Sequence, residues 1–165
     1  LLNGSAVIVC GFNKTRIGLN AKIRDHNEFT EHTPMIGDRV ICLKNNKRSN
    51  VPLYNGAHGT IRHITKNPHL DYARSVIEMD GVNEDMFRGK MLYGAFAQEK
   101  FNSYETGPGK EVFDYGYAIT AHKSQGSEFE KVMVIEEGKY VWRENWNKWL
   151  YTAVTRSSDE LLIVG

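Results

Sequence analysis

The residues best suited to chemistry lie in a polar turn that follows a short apolar run. Residues 118–129 have the sequence A-I-T-A-H-K-S-Q-G-S-E-F, so a strand is expected to end in hydroxyl, basic, amide and carboxylate groups. Hydroxyls and free backbone amides at such a turn can bind phosphate oxygens. Gly126 has no Cβ and would let the backbone approach a ligand, while Glu128 could accept hydrogen bonds from sugar hydroxyls. A polar strand-to-helix loop, with Glu128 solvated or capping the helix, explains these residues equally well.

Arg156 is the second residue with a chemical role to consider. It follows a predicted helix over residues 146–155 and precedes an apolar run at 161–164, which predicts a buried strand. At a domain interface, its guanidinium could stabilise the charge that builds on a transferred γ-phosphoryl group, an effect worth roughly 10³ to 10⁵ in rate. The planar and permanently charged fork of arginine suits phosphate. Considered alone, the residue is better explained as a cation at a helix carboxyl end, worth about 0.3–1 kcal/mol.

The elements that would position these residues form an α/β unit. Apolar runs predict strands at 6–10, 117–120, 132–135 and 161–164, and a helix is predicted after Asn13. Where such runs show no polar alternation, they are typical of strands covered on both faces. The sequence therefore predicts a sheet with helices. The polar turn follows one of its strands, and Arg156 follows one of its helices.

An all-β insertion is predicted between the two halves of this unit. Short strands are predicted at 37–43, 57–64 and 72–79, and Asn55-Gly56 is a strong turn signal. Such a pattern is typical of a small β-barrel or curled sheet. Residues 83–112 are polar and glycine-rich, and we assign them to a loop or extended excursion. We therefore predict one discontinuous α/β domain over 1–33 and 115–165, with the inserted domain at 34–114.

Length and charge set broad limits on the protein. With 165 residues, 41% hydrophobic and 25% charged, the chain can bury a core, which excludes a largely disordered protein. The formal net charge of +1 does not by itself indicate a nucleic-acid binder, although a basic groove can lie opposite an acidic surface. The basic run at residues 44–48 is most simply a solvated hairpin tip, and contact of that tip with displaced DNA is the other interpretation.

Cysteine, histidine and tryptophan give weaker signals. Cys10 and Cys42 lie in apolar runs without a C-x-x-C pattern, which predicts reduced, buried thiols in an intracellular, cytoplasmic protein. The six histidines show no metal-ligand spacing. No apolar stretch approaches the ~20 residues that cross a bilayer, so no membrane partner is predicted. The tryptophans at 142, 146 and 149 share one helical face, which favours packing on the sheet over base stacking.

The turn and the arginine, taken together, resemble a known pair of motifs. The pattern T-x-H-K-S-Q-G-x-E-F at 120–129, followed by Y-T-A-V-T-R at 151–156, resembles motifs V and VI of superfamily 1 DNA helicases, and is most similar to the RecD-like branch with its phage Dda-type enzymes. Residues 115–118 resemble the lead-in of that branch, and residues 7–16 with Leu19, Asn20 and Arg24 resemble its motif IVa region. Residues 37–40 and 54–56 resemble the start of its inserted SH3-like β-domain.

This resemblance implies a fold and a role for individual residues. The fold would be the second RecA-like motor domain, with a P-loop NTPase-type parallel sheet and an SH3-like insertion. Arg156 would be the catalytic arginine finger. The residues that would face the nucleotide are Gln125, Gly126 and Glu128, with Glu128 on the ribose. The residues that would contact single-stranded DNA are Thr120, His122, Lys123, Ser124, Asn13, Thr15 and Arg16. Helix capping by Asn13 or Thr15, with a solvated Arg16, is the alternative for the last three.

The chain departs from a complete motor in one respect. A P-loop needs G-x-x-x-x-G-K followed by Ser or Thr, but Gly109-Lys110 and Gly89-Lys90 are followed by Glu111 and Met91. The residue in the place of the first glycine is Tyr104 in one case and Glu84 in the other. ATP and Mg²⁺ would therefore be held mainly by an N-terminal RecA-like domain that is absent from this sequence. Because the chain begins at Leu1 without an initiator Met, we expect it to be a segment of a longer polypeptide, inactive as an ATPase by itself.

The resemblance implies an ATP-dependent helicase that moves along single-stranded DNA, with 5′-to-3′ travel suggested by the branch. It also implies a protein of bacterial or phage type. Two alternatives stay open. The chain could be a stand-alone nucleic-acid-binding module in which the motor residues are relics, or it could belong to an RNA-directed or nuclease-fused relative. Intact Arg156 and Glu128 argue against decay.

Overall fold

The chain divides into two units in a computed structural model that describes residues 6–82, 85–99, 101, 106, 109–137 and 143–165. The first unit comprises Leu1–Ile23 and Tyr117–Gly165, and the second comprises Arg24–Gly116. No helix in the described residues is long and apolar enough to span a membrane.

A parallel sheet forms the centre of the first unit. Its elements are β1 (Ala6–Cys10), α1 (Asn13–His26, the last residues of which belong to the second unit), β7 (Ala118–Thr120), β8 (Phe129–Ile135), α2 (Trp146–Val154) and β9 (Ser157–Val164). The strand order is β7-β1-β8-β9, and all three pairings are parallel. The predicted α/β sheet is therefore confirmed.

The position of each strand in the sheet explains its burial. β1 lies between β7 and β8, and Val7, Val9 and Cys10 are at most 2% exposed, as its unbroken apolar run predicted. β9 is the edge strand, and its residues Leu161, Leu162, Ile163 and Val164 are 42–50% exposed. The expectation that the last strand is buried was wrong: β9 lies at the edge of the sheet, and successive residues, which alternate between its two faces, are all exposed in the described part of the chain.

The second unit is an antiparallel sheet. Its strands are β2 (Arg39–Cys42), β3 (His58–Thr65), β4 (Tyr72–Met79), β5 (Met86–Leu92) and β6 (Phe113–Tyr115), and a 3₁₀ turn spans Tyr93–Ala95. Their order is β5-β4-β3-β2-β6. Glu111, just before β6, exchanges backbone hydrogen bonds of 2.7 and 3.0 Å with Lys90 and Leu92 of β5, so the first and last strands meet. The predicted curled all-β unit is confirmed.

Two of these strands were not predicted. β5 lies in the segment that the sequence assigned to a loop, although Phe87 and Met91 are buried and Arg88 and Lys90 exposed, as alternation requires. Gly89 takes the inward position between them, where a Cβ would lie 2.4 Å from the Phe87 ring. The strand was missed because this glycine and two charges interrupt the apolar pattern. β6 has three residues, too few for periodicity to be visible.

A buried ion pair stabilises the beginning of the second unit. Arg24 Nε and Nη2 donate to Asp38 at 2.9 and 3.1 Å, and Asp38 also accepts from the Met35 amide at 2.7 Å. The guanidinium lies 4.4 Å from the centre of the Tyr115 ring. Because both charges are buried, removing one partner is expected to cost about 3–5 kcal/mol.

Candidate functional site

The polar turn after β7 is held by its own backbone. The amide of Ser124 donates to the Thr120 carbonyl, and the amide of Ser127 donates to the Ser124 carbonyl, both at 3.0 Å. The turn begins on the sheet, where the Ala121 amide donates to the Cys10 carbonyl. Residues 121–126 form successive turns and lead directly into β8, so the alternative of a strand-to-helix loop is wrong.

The exposed part of this turn contains the predicted nucleotide-facing residues. Gln125, Gly126 and Glu128 are all exposed. Gly126 has a φ of +82° and open space around its missing Cβ, so it is a turn glycine that leaves its backbone accessible. His122 is also exposed, and Lys123 is half-buried. The turn therefore presents an amide, an imidazole and a carboxylate to solvent on a fixed backbone.

Arg156 lies beside this turn. Its Nη1 donates to the Ser127 carbonyl at 3.1 Å, one residue beyond Gly126, and its Nε donates to the Thr152 carbonyl at 3.0 Å. Its Nη2 donates to the Thr155 hydroxyl. The bond to Thr152, a residue of α2, is the helix-capping role that the sequence also allowed. The bond to Ser127 brings the guanidinium to the segment that contains Gln125, Gly126 and Glu128.

The register of the sheet separates the candidate residues into two groups. Thr120 is the last residue of β7 and lies opposite Cys10, the last residue of β1, so it lies at the carboxyl edge of the sheet. Phe129 and Ser157 begin β8 and β9 as paired neighbours, so Glu128 and Arg156, which precede them, lie at the amino edge. The turn thus runs from one edge to the other. The nucleotide candidates Glu128 and Arg156 therefore lie at the amino edge, whereas the DNA candidate Thr120 lies at the carboxyl edge.

Helix α1 begins at the same carboxyl edge as Thr120. The amides of the two residues that precede this helix face a carboxylate that the sequence did not single out, that of Glu137. Oε1 of Glu137 accepts from the amides of Gly11 and Phe12 at 2.7 and 2.9 Å, and Oε2 accepts from the Thr15 hydroxyl at 2.7 Å. An anion is stabilised at this end of a helix. No sequence pattern could have revealed the contact, because more than 120 residues separate the partners.

Three residues of the predicted DNA track are buried. Arg16 is 1% exposed, and its Nε donates to the Asn13 side chain at 3.2 Å, so the alternative of a solvated Arg16 is wrong. Ser124 has 0% exposure, and its hydroxyl donates to the Ala121 carbonyl at 2.8 Å. Thr120 is only 7% exposed, and its hydroxyl accepts from the Lys123 amide at 3.4 Å. Arg16 and Ser124 therefore support neighbouring groups in this conformation.

A buried asparagine holds α1 against the sheet. The Asn20 side chain donates to the carbonyls of Ala118 and Arg16 at 2.9 and 3.0 Å and accepts from the Ala118 amide at 2.9 Å. It bonds to β7 as a further strand would, on the open edge of that strand. Asn20 thus fixes the start of the chemically important turn relative to α1.

A cavity of about 400 Å³ lies between the turn and α2. Trp149, which is 7% exposed, forms part of its wall, and His122, Gln125 and Lys148 add polar and charged groups. The burial of Trp149 agrees with the packing role predicted for the tryptophan face, whereas residue 142 lies outside the described residues. The cavity adjoins Gln125, a predicted nucleotide contact, and His122, a predicted DNA contact.

A comparison with protein families identifies this part of the chain. The model of the UvrD-like helicase C-terminal domain matches residues 115–164, which include β7, β8, α2, β9, the polar turn and Arg156. This segment of the chain is therefore similar to UvrD-like helicase C-terminal domains. The two motifs that carried the resemblance therefore lie inside the matched segment.

The solved structures of Pif1 helicases have a similar fold. The Bacteroides Pif1 helicase, solved in complex with ADP-AlF3 and ssDNA, matches 100% of this chain with a TM-score of 0.62 and 17% identity, and the chain covers 42% of it. The Candida albicans Pif1 helicase matches 98% of the chain with a TM-score of 0.61 and 13% identity, and 45% of it is covered. At these identities the likeness concerns the fold. It extends over both units, beyond the segment that the family model matches.

A sequence relative is an uncharacterised protein of Methanocaldococcus jannaschii. It is 46% identical over 132 residues, which cover 78% of this chain and 10% of that protein. The chain thus spans about a tenth of this relative and about two fifths of the Pif1 helicases. Together, the family match and the fold confirm the prediction of a C-terminal motor domain of a superfamily 1 helicase.

The matched segment offers groups that suit one wall of a nucleotide site. At the amino edge, exposed Glu128 suits a sugar hydroxyl, and half-buried Arg156 suits a phosphate. The chain has no P-loop sequence, and among the described residues no cluster of three or more His, Cys, Asp or Glu side chains could hold a metal ion.

Proposed function

We propose that this chain is the second motor domain of an ATP-dependent DNA helicase that translocates 5′-to-3′ on single-stranded DNA and unwinds duplex. The first unit is the RecA-like motor half, the second unit is an SH3-like domain inserted into it, and the relationship is to the RecD-like branch. An N-terminal RecA-like domain of the same intracellular polypeptide holds ATP and Mg²⁺. The Pif1 structures solved with ssDNA support a single-stranded substrate.

The observation that carries this proposal is the hydrogen bond between Arg156 and the Ser127 carbonyl. It brings the guanidinium of one motif to the turn of the other, as two parts of one nucleotide wall require. All the described hydrogen-bond partners of the guanidinium are carbonyl or hydroxyl oxygens, and no ion pair among the described residues includes it. Within the described part of the chain, no carboxylate therefore compensates its positive charge, and no such ion pair has to break before it turns towards a phosphate.

At the amino edge, bound ATP supplies a phosphoryl group for transfer to water. Arg156 leaves its carbonyl partners and donates to the γ-phosphoryl oxygens, where negative charge accumulates during transfer. Gln125 and the Gly126 backbone face the same phosphate, and Glu128 accepts from the ribose. Each of these groups except Arg156 is already exposed in this conformation.

At the carboxyl edge, Thr120 and His122 contact the phosphodiester backbone of the strand. Lys123 adds charge, and Asn13 and Thr15 extend the track along the start of α1. Arg16 supports Asn13, and Ser124 supports the turn, so both act through their neighbours. Because the polar turn joins the two edges, movement of Arg156 on nucleotide binding and release is transmitted through that turn to the DNA contacts.

The experiment is a pair of substitutions at Arg156 in the full-length polypeptide. We expect Arg156→Ala to lower the DNA-stimulated ATPase kcat by about 10³-fold or more. Arg156→Lys retains charge but not the planar fork, so it should restore little of the activity. Affinity for a single-stranded oligonucleotide, measured by fluorescence anisotropy, should stay near the parent value.

An unchanged kcat in Arg156→Ala would show that Arg156 only caps α2 and that the motor residues are relics. Strand displacement on DNA and RNA duplexes decides between the DNA helicase and an RNA-directed relative. Unwinding of substrates with a 5′ or a 3′ overhang decides the direction.

A further inference from the structure

Strand β8 is covered on one face and open on the other in the described part of the chain. Val132 and Val134, which point to one face, are at most 2% exposed. Met133, which points to the other face, is half-buried, and its paired neighbour Leu162 in β9 is 50% exposed. We call this second face the open face, and its residues are Ala6 of β1, Lys131, Met133 and Ile135 of β8, and Glu160, Leu162 and Val164 of β9.

The open face has the size and polarity of a surface that a helix covers. Parallel sheets normally have helices on both faces, because their strands are apolar on both. A groove of about 420 Å³ lies on the open face, lined by Ala6, Met133 and Leu162 together with Lys131 and Glu160. The three neighbouring strands β1, β8 and β9 span about 10 Å, the width of one helix. An exposed apolar groove with a polar rim is typical of a protein-binding surface.

The amino end of the open face has more negative than positive charge. Lys131 Nζ donates to Glu160 Oε1 at 2.6 Å. The hydrogen bond to Glu160 raises the pKa of Lys131, and the nearby charges of Asp159 and Glu130 add to this effect. No ion pair among the described residues includes Asp159 or Glu130. One lysine therefore lies among three carboxylates.

These charges restrict the chemistry of what binds there. An excess of carboxylates repels phosphate groups, so the open face does not suit a nucleic acid or an anionic lipid surface. A second copy that docked through the same face would bring the same three carboxylates and only one further cation, its own Lys131. A helix with one apolar face and neighbouring Lys or Arg side chains complements both the groove and its charge.

We propose that the open face is a docking surface for a basic amphipathic helix of another protein. Apolar side chains at i, i+3, i+4 and i+7 of that helix pack on Met133, Leu162 and Val164. Its Lys or Arg side chains pair with Asp159 and Glu130 at the amino end of the groove. This inference goes beyond the proposed motor role, because that role uses the polar turn and the two edges of the sheet and no residue of the open face.

The test compares the binding of two helical peptides to the full-length polypeptide. Both peptides are fluorescein-labelled, about 18 residues or five helical turns long, and have leucine at the same i, i+3, i+4, i+7 spacing. The other positions are lysine in one peptide and glutamate in the other. Fluorescence anisotropy should show binding of the lysine peptide, and the glutamate peptide should bind about tenfold more weakly or not at all. Equal binding of the two peptides, or binding of neither, would overturn the proposal.

A matched pair of leucine substitutions tests the apolar contact. Leu162→Gln should weaken binding of the lysine peptide by about tenfold, because the burial of one leucine side chain is lost. Leu70→Gln is the control, since Leu70 belongs to the second unit and is exposed to a similar extent, 41% against 50%. Equal losses in the two variants would show that the peptide binds unspecifically to apolar surface.

A matched pair of double variants tests the charge complementarity. Asp159→Asn with Glu160→Gln should weaken binding of the lysine peptide and reduce its salt dependence, because screening acts on the charges that these changes remove. The control, Asp25→Asn with Glu144→Gln, neutralises two exposed carboxylates outside the open face and should retain the parent affinity. Equal losses in both double variants would indicate a general charge effect and overturn the proposal.

Maleimide labelling of Leu162→Cys shows whether the open face is free in the full-length polypeptide. Cys10 and Cys42 are both buried, so the introduced thiol can be followed against them. It should react rapidly without peptide and be protected by the lysine peptide. Slow labelling without peptide would contradict the proposal, and sedimentation would then assign the cover to a second copy, if the polypeptide is a dimer, or to the polypeptide itself, if it is a monomer.

Discussion

At the scale of single residues, the conformation of the polar turn depends on Gly126. With a φ of +82°, this residue occupies a region that side chains rarely adopt, and it links the buried start of the turn to exposed Glu128. Space alone does not require glycine here, because nothing lies within 4 Å of the position of a Cβ. The requirement is one of backbone conformation.

We expect Gly126→Ala to destabilise the chain by about 1–2 kcal/mol, the cost of the left-handed conformation for an L residue. Gly18→Ala is the matched control in the same unit, since Gly18 lies within α1 and its Cβ also meets nothing. There, alanine should stabilise by about 0.5–1 kcal/mol, because glycine is a poor helix former. Urea denaturation monitored by circular dichroism measures both. Shifts of the same sign would contradict the assignment of strain to Gly126.

The chemistry of the two cysteines also follows from their surroundings. Burial raises the pKa of Cys10 to about 12, with Glu137 adding to the effect, and burial raises the pKa of Cys42 to about 11. Both thiols are free and buried, as the sequence predicted. They are therefore protonated core groups at neutral pH, without the thiolate character that reactivity needs.

At the scale of elements, His58 connects β3 to β2 and to the residue after β6. Its Nδ1 lies 3.0 Å from the Gly56 carbonyl, and a Cβ on Gly116 would lie 3.0 Å from its ring. Burial lowers the pKa of His58 to about 4, and the nearby Arg39 adds to this effect. The imidazole is thus neutral in the folded sheet at pH values where it is charged in the unfolded chain.

This difference predicts a loss of stability in mild acid. The pKa of His58 in the folded state lies below its unfolded value of 6.5, so the unfolded chain binds more protons as the pH falls from 6.5 towards 4. Between pH 6.5 and pH 5 the free energy of unfolding should fall by roughly 1.5 kcal/mol. His58→Gln cannot titrate, and its unfolding free energy should vary less with pH over this interval. Equal pH dependence in the variant and the parent would contradict a neutral, buried His58.

Much of the arrangement of elements could be predicted from the sequence. The sequence located β1 by its unbroken apolar run and β4 by its residue pattern, each to within a residue. Both patterns follow from which residues of a strand are buried. β5 was missed because Gly89 and two cations interrupt its pattern.

At the scale of the whole molecule, the sequence indicated the two motifs but not how their residues are distributed over the sheet. The spacing of the polar turn and Arg156 indicated a helicase motif pair, and the family match confirms that identification. The sheet register places Thr120 at one edge and Glu128 and Arg156 at the opposite edge. The Glu137 contact and the burial of Arg16 depend on partners distant in sequence or on packing, which single-sequence patterns do not contain.

The proposed function divides the first unit into a nucleotide edge and a DNA edge. It is tested most directly by measuring ATPase activity without DNA, and affinity for single-stranded DNA, in Arg156→Ala and His122→Ala variants of the full-length polypeptide. Arg156→Ala should lose ATPase activity by about 10³-fold or more and keep its DNA affinity. His122→Ala should keep the ATPase activity and bind DNA more weakly. If each variant lost both properties equally, or if Arg156→Ala lost only DNA affinity, the two-edge account would be contradicted.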